Sequence, residues 1–140
     1  NNGFIYVKWN TGPNEIKISR FTADATKTSI LLETEVNYFT FPKSSLIHNG
    51  GSPIFGEDGF LYIPVGDGIS FTENFVPYNT APDMTKFNGK VLRIDVDNVP
   101  QGAVYGIPQD NPFINNPSVL PEIYAYGLRN PWTLVYDQPT

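Results

Sequence analysis

Helices of ordinary length have little room in this chain, because 13 prolines and 12 glycines are spread through its 140 residues. Proline removes a backbone donor and clashes with the preceding helical turn, and glycine weakens a helix. The intervening runs are short, apolar and aromatic, as is typical of strands. An all-β chain is therefore predicted, with strands at residues 4–9, 15–22, 29–36, 52–55, 60–65, 90–96, 122–128 and 133–136.

A weak internal repeat favours a propeller over a sandwich or a barrel. Residues 2–7 (NGFIYV) are similar to residues 58–63 (DGFLYI), and each is followed by a strand with a basic start, at Lys17 and Lys90. Repeats of four short strands are typical of propeller blades. We expect a fragment of about two blades. Its predicted parts are the end of one blade (1–43), one blade with long loops (44–131) and the start of the next (132–140).

Two kinds of connection are predicted inside the central blade. Glu57-Asp58-Gly59 lies between two apolar strands and suits a tight hairpin with a positive φ at the glycine. Residues 66–88 and 97–121 are long loops, which in compact domains are usually functional or mobile. Because blades bury their faces against neighbours, a piece of two blades is expected to be marginally stable or prone to aggregate through open strand edges.

Composition excludes several classes of protein. A hydrophobic content of 40% with 16% charged residues argues against disorder, and a net charge of −5 with scattered cations argues against a nucleic-acid partner. No run approaches the roughly 20 apolar residues of a membrane span. The chain contains no cysteine, which excludes disulfides within it. It starts without methionine or an apolar leader, so the native start is expected to lie elsewhere.

His48, the single histidine, is the first candidate for chemistry. It opens His48-Asn49-Gly50-Gly51 just before a predicted strand. Imidazole accepts a proton near neutral pH, and glycines beside it allow a ligand to approach the backbone closely. The alternative is a loop histidine bonded to backbone or exposed to solvent. Residue type alone leaves both interpretations open.

Arg129, Asn130 and Asp67 are the other candidates. The guanidinium of Arg129 is a planar fork that matches carboxylates and quinone oxygens, and Asn130 offers a donor and an acceptor. The alternative for Arg129 is a surface pair with an acid such as Asp137. Asp67 is suited to orienting His48, binding a cation, contacting a sugar hydroxyl or stabilising a turn. One carboxylate is too few for calcium, which takes about six to eight oxygens, so no metal site is predicted in the chain.

Taken together, several segments are more specific than any one of them. Their order resembles the glucose/sorbosone dehydrogenase family, which includes the soluble sugar dehydrogenases that use pyrroloquinoline quinone. The resemblance covers about residues 44–140. The segments that carry it are His48-Asn49-Gly50-Gly51, Gly66-Asp67-Gly68 and residues 55–62, 89–95, 107–113 and 122–131.

The resemblance implies a six-bladed β-propeller with its site at the top of the central channel. His48 matches the family's base, which takes the proton of a sugar hydroxyl while hydride passes to the quinone. Arg129 and Asn130 match residues that contact this cofactor, and Asn49 and Asp67 are assigned to substrate binding. Ile47 stands where the glucose-oxidising members have an aspartate that contacts sugar, so the substrate is given only as a sugar or polyol.

The resemblance also implies partners and a compartment. They are pyrroloquinoline quinone, calcium with its ligands outside this segment, an external electron acceptor, and the periplasm or cell exterior. A rival branch of the family includes Hedgehog-interacting protein, a secreted propeller that binds a partner protein. Arg129-Asn130 and the lack of cysteine favour the cofactor-binding branch. A degenerate propeller with only a scaffold role is the third interpretation.

Overall fold

A computed structural model of the chain describes residues 2–12, 15–42, 47–68 and 80–137. They belong to two compact units, Asn1–Lys43 and Ser44–Thr140, each with one antiparallel sheet. In these residues every regular element is a strand, which confirms the all-β prediction. No helix able to cross a membrane occurs in the described part of the chain. The division of 1–43, 44–131 and 132–140 among three successive blades stays a prediction.

The first unit is a three-stranded meander. Its strands are β1 (Phe4–Gly12), β2 (Glu15–Ala23) and β3 (Ile30–Pro42), in the order β1-β2-β3. Side chains alternate between the two faces of a strand, and the central strand buries one such row, which includes Ile16 and Ile18. β3 runs six residues beyond the predicted end at residue 36, because it stays paired with the start of β2.

The second unit is a four-stranded meander. Its strands are β4 (Ile54–Phe55), β5 (Leu61–Val65), β6 (Lys90–Ile94) and β7 (Ile123–Tyr126), in the order β4-β5-β6-β7. The inner strands β5 and β6 are almost wholly buried, but only β5 is a continuous apolar run, because β6 includes Lys90 and Arg93. The buried apolar residues of β5, β6 and β7 are Leu61, Ile63, Val65, Val91, Leu92, Ile94 and Ile123.

The strand predicted at residues 133–136 is wrong. Residues 131–137 have no regular structure, and Val135 is 85% exposed. A strand is defined by the ladder it forms with a neighbour, and no strand among the described residues pairs with this segment. A short apolar run alone therefore did not produce a strand.

The predicted loops occupy the expected places. The hairpin at Gly59 forms with φ +81°. Residues 97–121 contain no strand and form only one isolated bridge, between Asp95 and Gly106. In the loop predicted at 66–88, residues 66–68 and 80–88 lack strands, and residues 69–79 lie outside the described residues.

The internal repeat is also a structural repeat of the turn that precedes β1 in one sheet and β5 in the other. In both turns a side-chain oxygen, of Asn2 or Asp58, accepts a hydrogen bond from the N–H two residues later at 3.1 Å. The glycine between has φ +75° at Gly3 and +81° at Gly59, a conformation that other residues rarely adopt.

An arginine follows the repeat in each sheet. The guanidinium of Arg20 lies 4.1 Å from the ring centroid of Phe4, and that of Arg93 lies 4.6 Å from Phe60. Each arginine also pairs with a tyrosine across the ladder. The same turn and the same cation–π contact therefore recur in both units.

Candidate functional site

His48 and Asp67 form a shielded pair beside the end of β5. His48 Nδ1 lies 3.0 Å from Asp67 Oδ1, and the two side chains are 10% and 6% exposed. An ionised carboxylate can only accept, so Nδ1 carries the donated hydrogen and the lone pair of the neutral ring lies on Nε2. The geometry favours the orienting role among those considered for Asp67. The arrangement suits a ring that takes up a proton, because the carboxylate stabilises the imidazolium.

The backbone of His48 is held in an uncommon conformation. Its φ is +57°, in the left-handed region that few residues other than glycine occupy. The His48 carbonyl accepts a hydrogen bond from Gly68 N at 3.1 Å. A Cβ at Gly66 would lie 1.9 Å from that same carbonyl oxygen, so only glycine permits this approach. His48 is thereby fixed against residues 66–68, as is common for strained residues at functional sites.

Residues 129–130 contact both the segment that contains His48 and the segment that contains Asp67. The Arg129 carbonyl accepts a hydrogen bond from Asp67 N at 2.8 Å, and Asn130 Oδ1 accepts one from Gly50 N at 3.1 Å. Arg129 is exposed, whereas Asn49 and Asn130 are half-buried. We call residues 48–51, 66–68 and 129–132 the three-segment cluster. It brings together all five residues that the sequence singled out, although their individual roles stay predictions.

Gly51, the second glycine after His48, packs against the chain itself instead of leaving room for a ligand. A Cβ at Gly51 would lie 1.7 Å from the Trp132 carbonyl oxygen, so the chain itself occupies that space. Gly51 therefore allows two of the three segments to touch.

Lys90 is a buried charge that the sequence interpretation missed as a site residue. It is 0% exposed, and its Nζ donates to the carbonyls of Thr80 at 3.0 Å, Ala81 at 2.8 Å and Asn88 at 2.7 Å. Three donors thus meet three acceptors. The available signal was its position on β6, where Lys90 shares a face with the fully buried Leu92 and Ile94.

The charge on Lys90 should make stability depend on pH. Burial lowers the pKa of its ammonium from 10.5 to about 8, although the Asp83 carboxylate opposes this shift. Between these values the unfolded chain holds more protons than the folded one, so stability rises with pH. From pH 7 to pH 10 the wild type should gain about 2 kcal/mol relative to Lys90→Met. Urea denaturation at both pH values measures this. A difference that stays constant would contradict it.

Arg93 is a second buried cation that was missed, and it lies in a different cluster. Its guanidinium forms a two-pronged ion pair with Asp110, at 3.0 and 3.1 Å, and contacts Asp58 Oδ2 at 2.9 Å. The Asn111 amide donates to the Arg93 carbonyl at 3.0 Å. These contacts tie the β4–β5 hairpin and the long loop 97–121 to β6. None of these contacts involves a candidate site residue.

Metal ligation has no support within the described residues, where no three His, Cys, Asp or Glu side chains lie close enough to hold an ion.

A family model described as glucose/sorbosone dehydrogenase matches residues 1–140. The HIPL1 protein of Arabidopsis thaliana is 38% identical over an alignment of 135 positions, which covers 86% of this chain and 19% of that protein. Hedgehog-interacting protein of Homo sapiens is 31% identical over an alignment of 147 positions, which covers 98% of this chain and 21% of that protein.

A solved structure is also similar. It is the PQQ-bound form of aldose sugar dehydrogenase from Streptomyces coelicolor, with a TM-score of 0.66 and 27% identity, covering 93% of this chain and 33% of the other. The likeness confirms that the chain folds as part of a β-propeller. The chain spans about a fifth of the length of the curated relatives it matches.

Proposed function

Because the chain belongs to the glucose/sorbosone dehydrogenase family, we propose that it supplies the proton-accepting part of a site that oxidises a sugar or polyol. The observation that carries this proposal is the 3.0 Å contact between His48 Nδ1 and Asp67 Oδ1. A buried histidine with its carboxylate partner is an arrangement suited to a general base. The cofactor is proposed to be pyrroloquinoline quinone, the group that the similar aldose sugar dehydrogenase holds.

The proposed reaction divides the work between two groups. His48 Nε2 takes the proton of the substrate hydroxyl, and the carbon that bears it loses a hydride as the C–O single bond becomes a carbonyl. When bound, the quinone supplies the two-electron oxidant that accepts this hydride. Asp67 keeps the imidazole in the tautomer with its lone pair on Nε2, and then stabilises the charge that the ring gains.

The residues of the cluster fit a quinone with carboxylate groups. Arg129 is exposed, and its backbone carbonyl is anchored to Asp67 N at 2.8 Å. A cation with a planar donor fork suits such a ligand. Asn130 uses its side-chain oxygen on Gly50 N, so its NH₂ group is the part that can donate. We assign both residues to cofactor binding and Asn49 to substrate contact.

The remaining parts of the proposal concern the whole protein. For that protein we propose calcium with ligands outside residues 1–140, an external electron acceptor and a periplasmic or extracellular location. Ile47, which is 40% exposed, precedes the base. An apolar side chain there offers no hydrogen bond to a sugar hydroxyl, so the substrate class stays a sugar or polyol.

Arg129→Met in the full-length protein should weaken binding of the quinone. Loss of a charge-assisted contact costs about 1.5–3 kcal/mol, which corresponds to roughly 10- to 100-fold in Kd. The measurement is an absorbance titration with pyrroloquinoline quinone in the presence of calcium. Lys86→Met is the matched control, because Lys86 is an exposed cation of the same unit. Equal affinities for the wild type and both variants would remove Arg129 from the cofactor site.

A second candidate function is binding of a protein partner. It is favoured by the 31% identity to human Hedgehog-interacting protein, which extends over 98% of this chain. The two proposals differ in one simple result. A full-length protein that neither binds the quinone nor oxidises any sugar or polyol, yet is folded, supports the binding role.

A further inference from the structure

The segment 80–88 leads into β6 and is fixed at both of its ends by one side chain. Lys90 Nζ donates to the carbonyls of Thr80, Ala81 and Asn88 at 2.7–3.0 Å, and Lys90 is fully buried. An ammonium group has three donors and no acceptor, so these three carbonyls use its whole capacity. No other side chain could hold the same three points without a similar reach and charge.

The first connection from this segment to the candidate site passes through Thr80. Its hydroxyl donates to the Asp67 carbonyl at 2.8 Å, while Asp67 N donates to the Arg129 carbonyl at 2.8 Å. The main chain of Asp67 is therefore held on both sides. Because the direction of its carboxylate depends on that main chain, the contact with His48 Nδ1 depends on the position of Thr80.

The second connection passes through Ala81. Its carbonyl accepts both Lys90 Nζ at 2.8 Å and the N–H of Gly127 at 3.1 Å. Gly127 lies two residues before Arg129. Two separate paths therefore connect the same ammonium group to the candidate site. One path leads through Thr80 to Asp67, the partner of His48. The other leads through Ala81 to Gly127, near Arg129.

We propose that Lys90 is a positioning residue, whose buried ammonium holds Thr80 and Ala81 so that the His48–Asp67 pair and Arg129 keep their geometry. Lys90 itself touches neither residue of the pair through its side chain. Its effect on turnover rests on the proposed function, whereas its effect on the His48–Asp67 hydrogen bond does not.

The test compares Lys90→Met, Thr80→Val and a control in the full-length protein. Thr85→Val is the control, because its hydroxyl lies in the same segment and donates to Asp83 Oδ1 at 2.7 Å. The first readout is the NMR signal of the His48 Nδ1 proton without cofactor, assigned by its loss in His48→Asn. We expect this signal to persist in the wild type and Thr85→Val and to be lost through solvent exchange in the other two variants.

The second readout is steady-state oxidation with quinone present. A misplaced base slows the chemical step more than it weakens substrate binding. We expect kcat to fall about tenfold or more in Lys90→Met and about threefold in Thr80→Val, with KM changed less than about twofold.

Each outcome has a distinct meaning. If Lys90→Met does not fold, Thr80→Val decides, because it keeps the ammonium and removes only the connection to Asp67. A wild-type Nδ1 signal in Thr80→Val, or equal effects of Thr80→Val and Thr85→Val, would overturn the proposal. A wild-type protein that lacks quinone-dependent turnover overturns the proposed function, and the NMR comparison still decides the role of Lys90.

Discussion

His48→Asn in the full-length protein should lower dye-linked oxidation of its substrate by about 10³-fold, while affinity for the quinone changes little. Asparagine is chosen because it tolerates a positive φ, and the backbone of residue 48 has φ +57°. Its amide can still donate to Asp67 but cannot accept a proton. The variant therefore removes the base and preserves the fold around it. Initial rates with a dye acceptor, together with a quinone titration, measure the two effects separately.

The partner of His48 provides a graded control. Asp67→Asn should reduce kcat less than His48→Asn, because the ring loses its charge partner but keeps its lone pair. Asp97→Asn removes an exposed carboxylate of the same unit and should leave turnover unchanged. Turnover at the wild-type rate in His48→Asn would refute the base assignment, whatever Asp67→Asn does.

Arg93→Met should lower the free energy of unfolding by about 2–4 kcal/mol. The Arg93 side chain is 5% exposed and the Asp58 side chain is 26% exposed. When Arg93 is removed, water therefore does not fully replace the ion pair that Asp58 loses. Asp110 is 71% exposed and can be hydrated again, which places the cost below that of a fully buried pair. The guanidinium carbon lies 4.6 Å from the ring centroid of Phe60 and 5.3 Å from that of Tyr124, so methionine places an unbranched apolar side chain beside these rings. Urea denaturation followed by intrinsic fluorescence gives the value.

Arg20→Met is the matched control for that substitution. Arg20 also stacks on a phenylalanine, at 4.1 Å, but it forms no ion pair with any described residue. Its loss should cost only about 1 kcal/mol, the amount expected for a cation–π contact. Equal destabilisation by the two substitutions would show that the ion pairs of Arg93 contribute nothing measurable.

Strand positions could be predicted from the sequence where local signals agreed. The turn Glu57-Asp58-Gly59 forms as expected because its glycine supplies the positive φ. Residues 133–136 form a short apolar run like those of true strands, yet lack a partner strand among the described residues. Pairing is a tertiary property, so no local pattern distinguishes these two cases.

The sequence was enough to predict which residues belong to the candidate site, but not which contacts they make. His48, Asp67 and Arg129 were recognised by residue type and by their motifs. The bonds that join them run between backbone atoms far apart along the chain, such as Asp67 N to the Arg129 carbonyl. Lys90 and Thr80 were missed because their contacts are with carbonyls, which every residue has. The one indication in the sequence was that Lys90 lies on the same face of its strand as the apolar residues Leu92 and Ile94, which are buried.

The arginine–phenylalanine stack lies at the same end of both hairpins, opposite to the loop that joins their strands. Along the chain, two residues (13–14) separate the paired strands of one sheet, and 24 residues (66–89) separate those of the other. The stack lies at the end of the hairpin away from the connection between its strands. The connection can therefore lengthen while the stack keeps the pairing register of the two strands. Insertions at that end are thus a low-cost route by which such sheets can acquire new chemistry, and Asp67 and Thr80 both lie in the longer insertion.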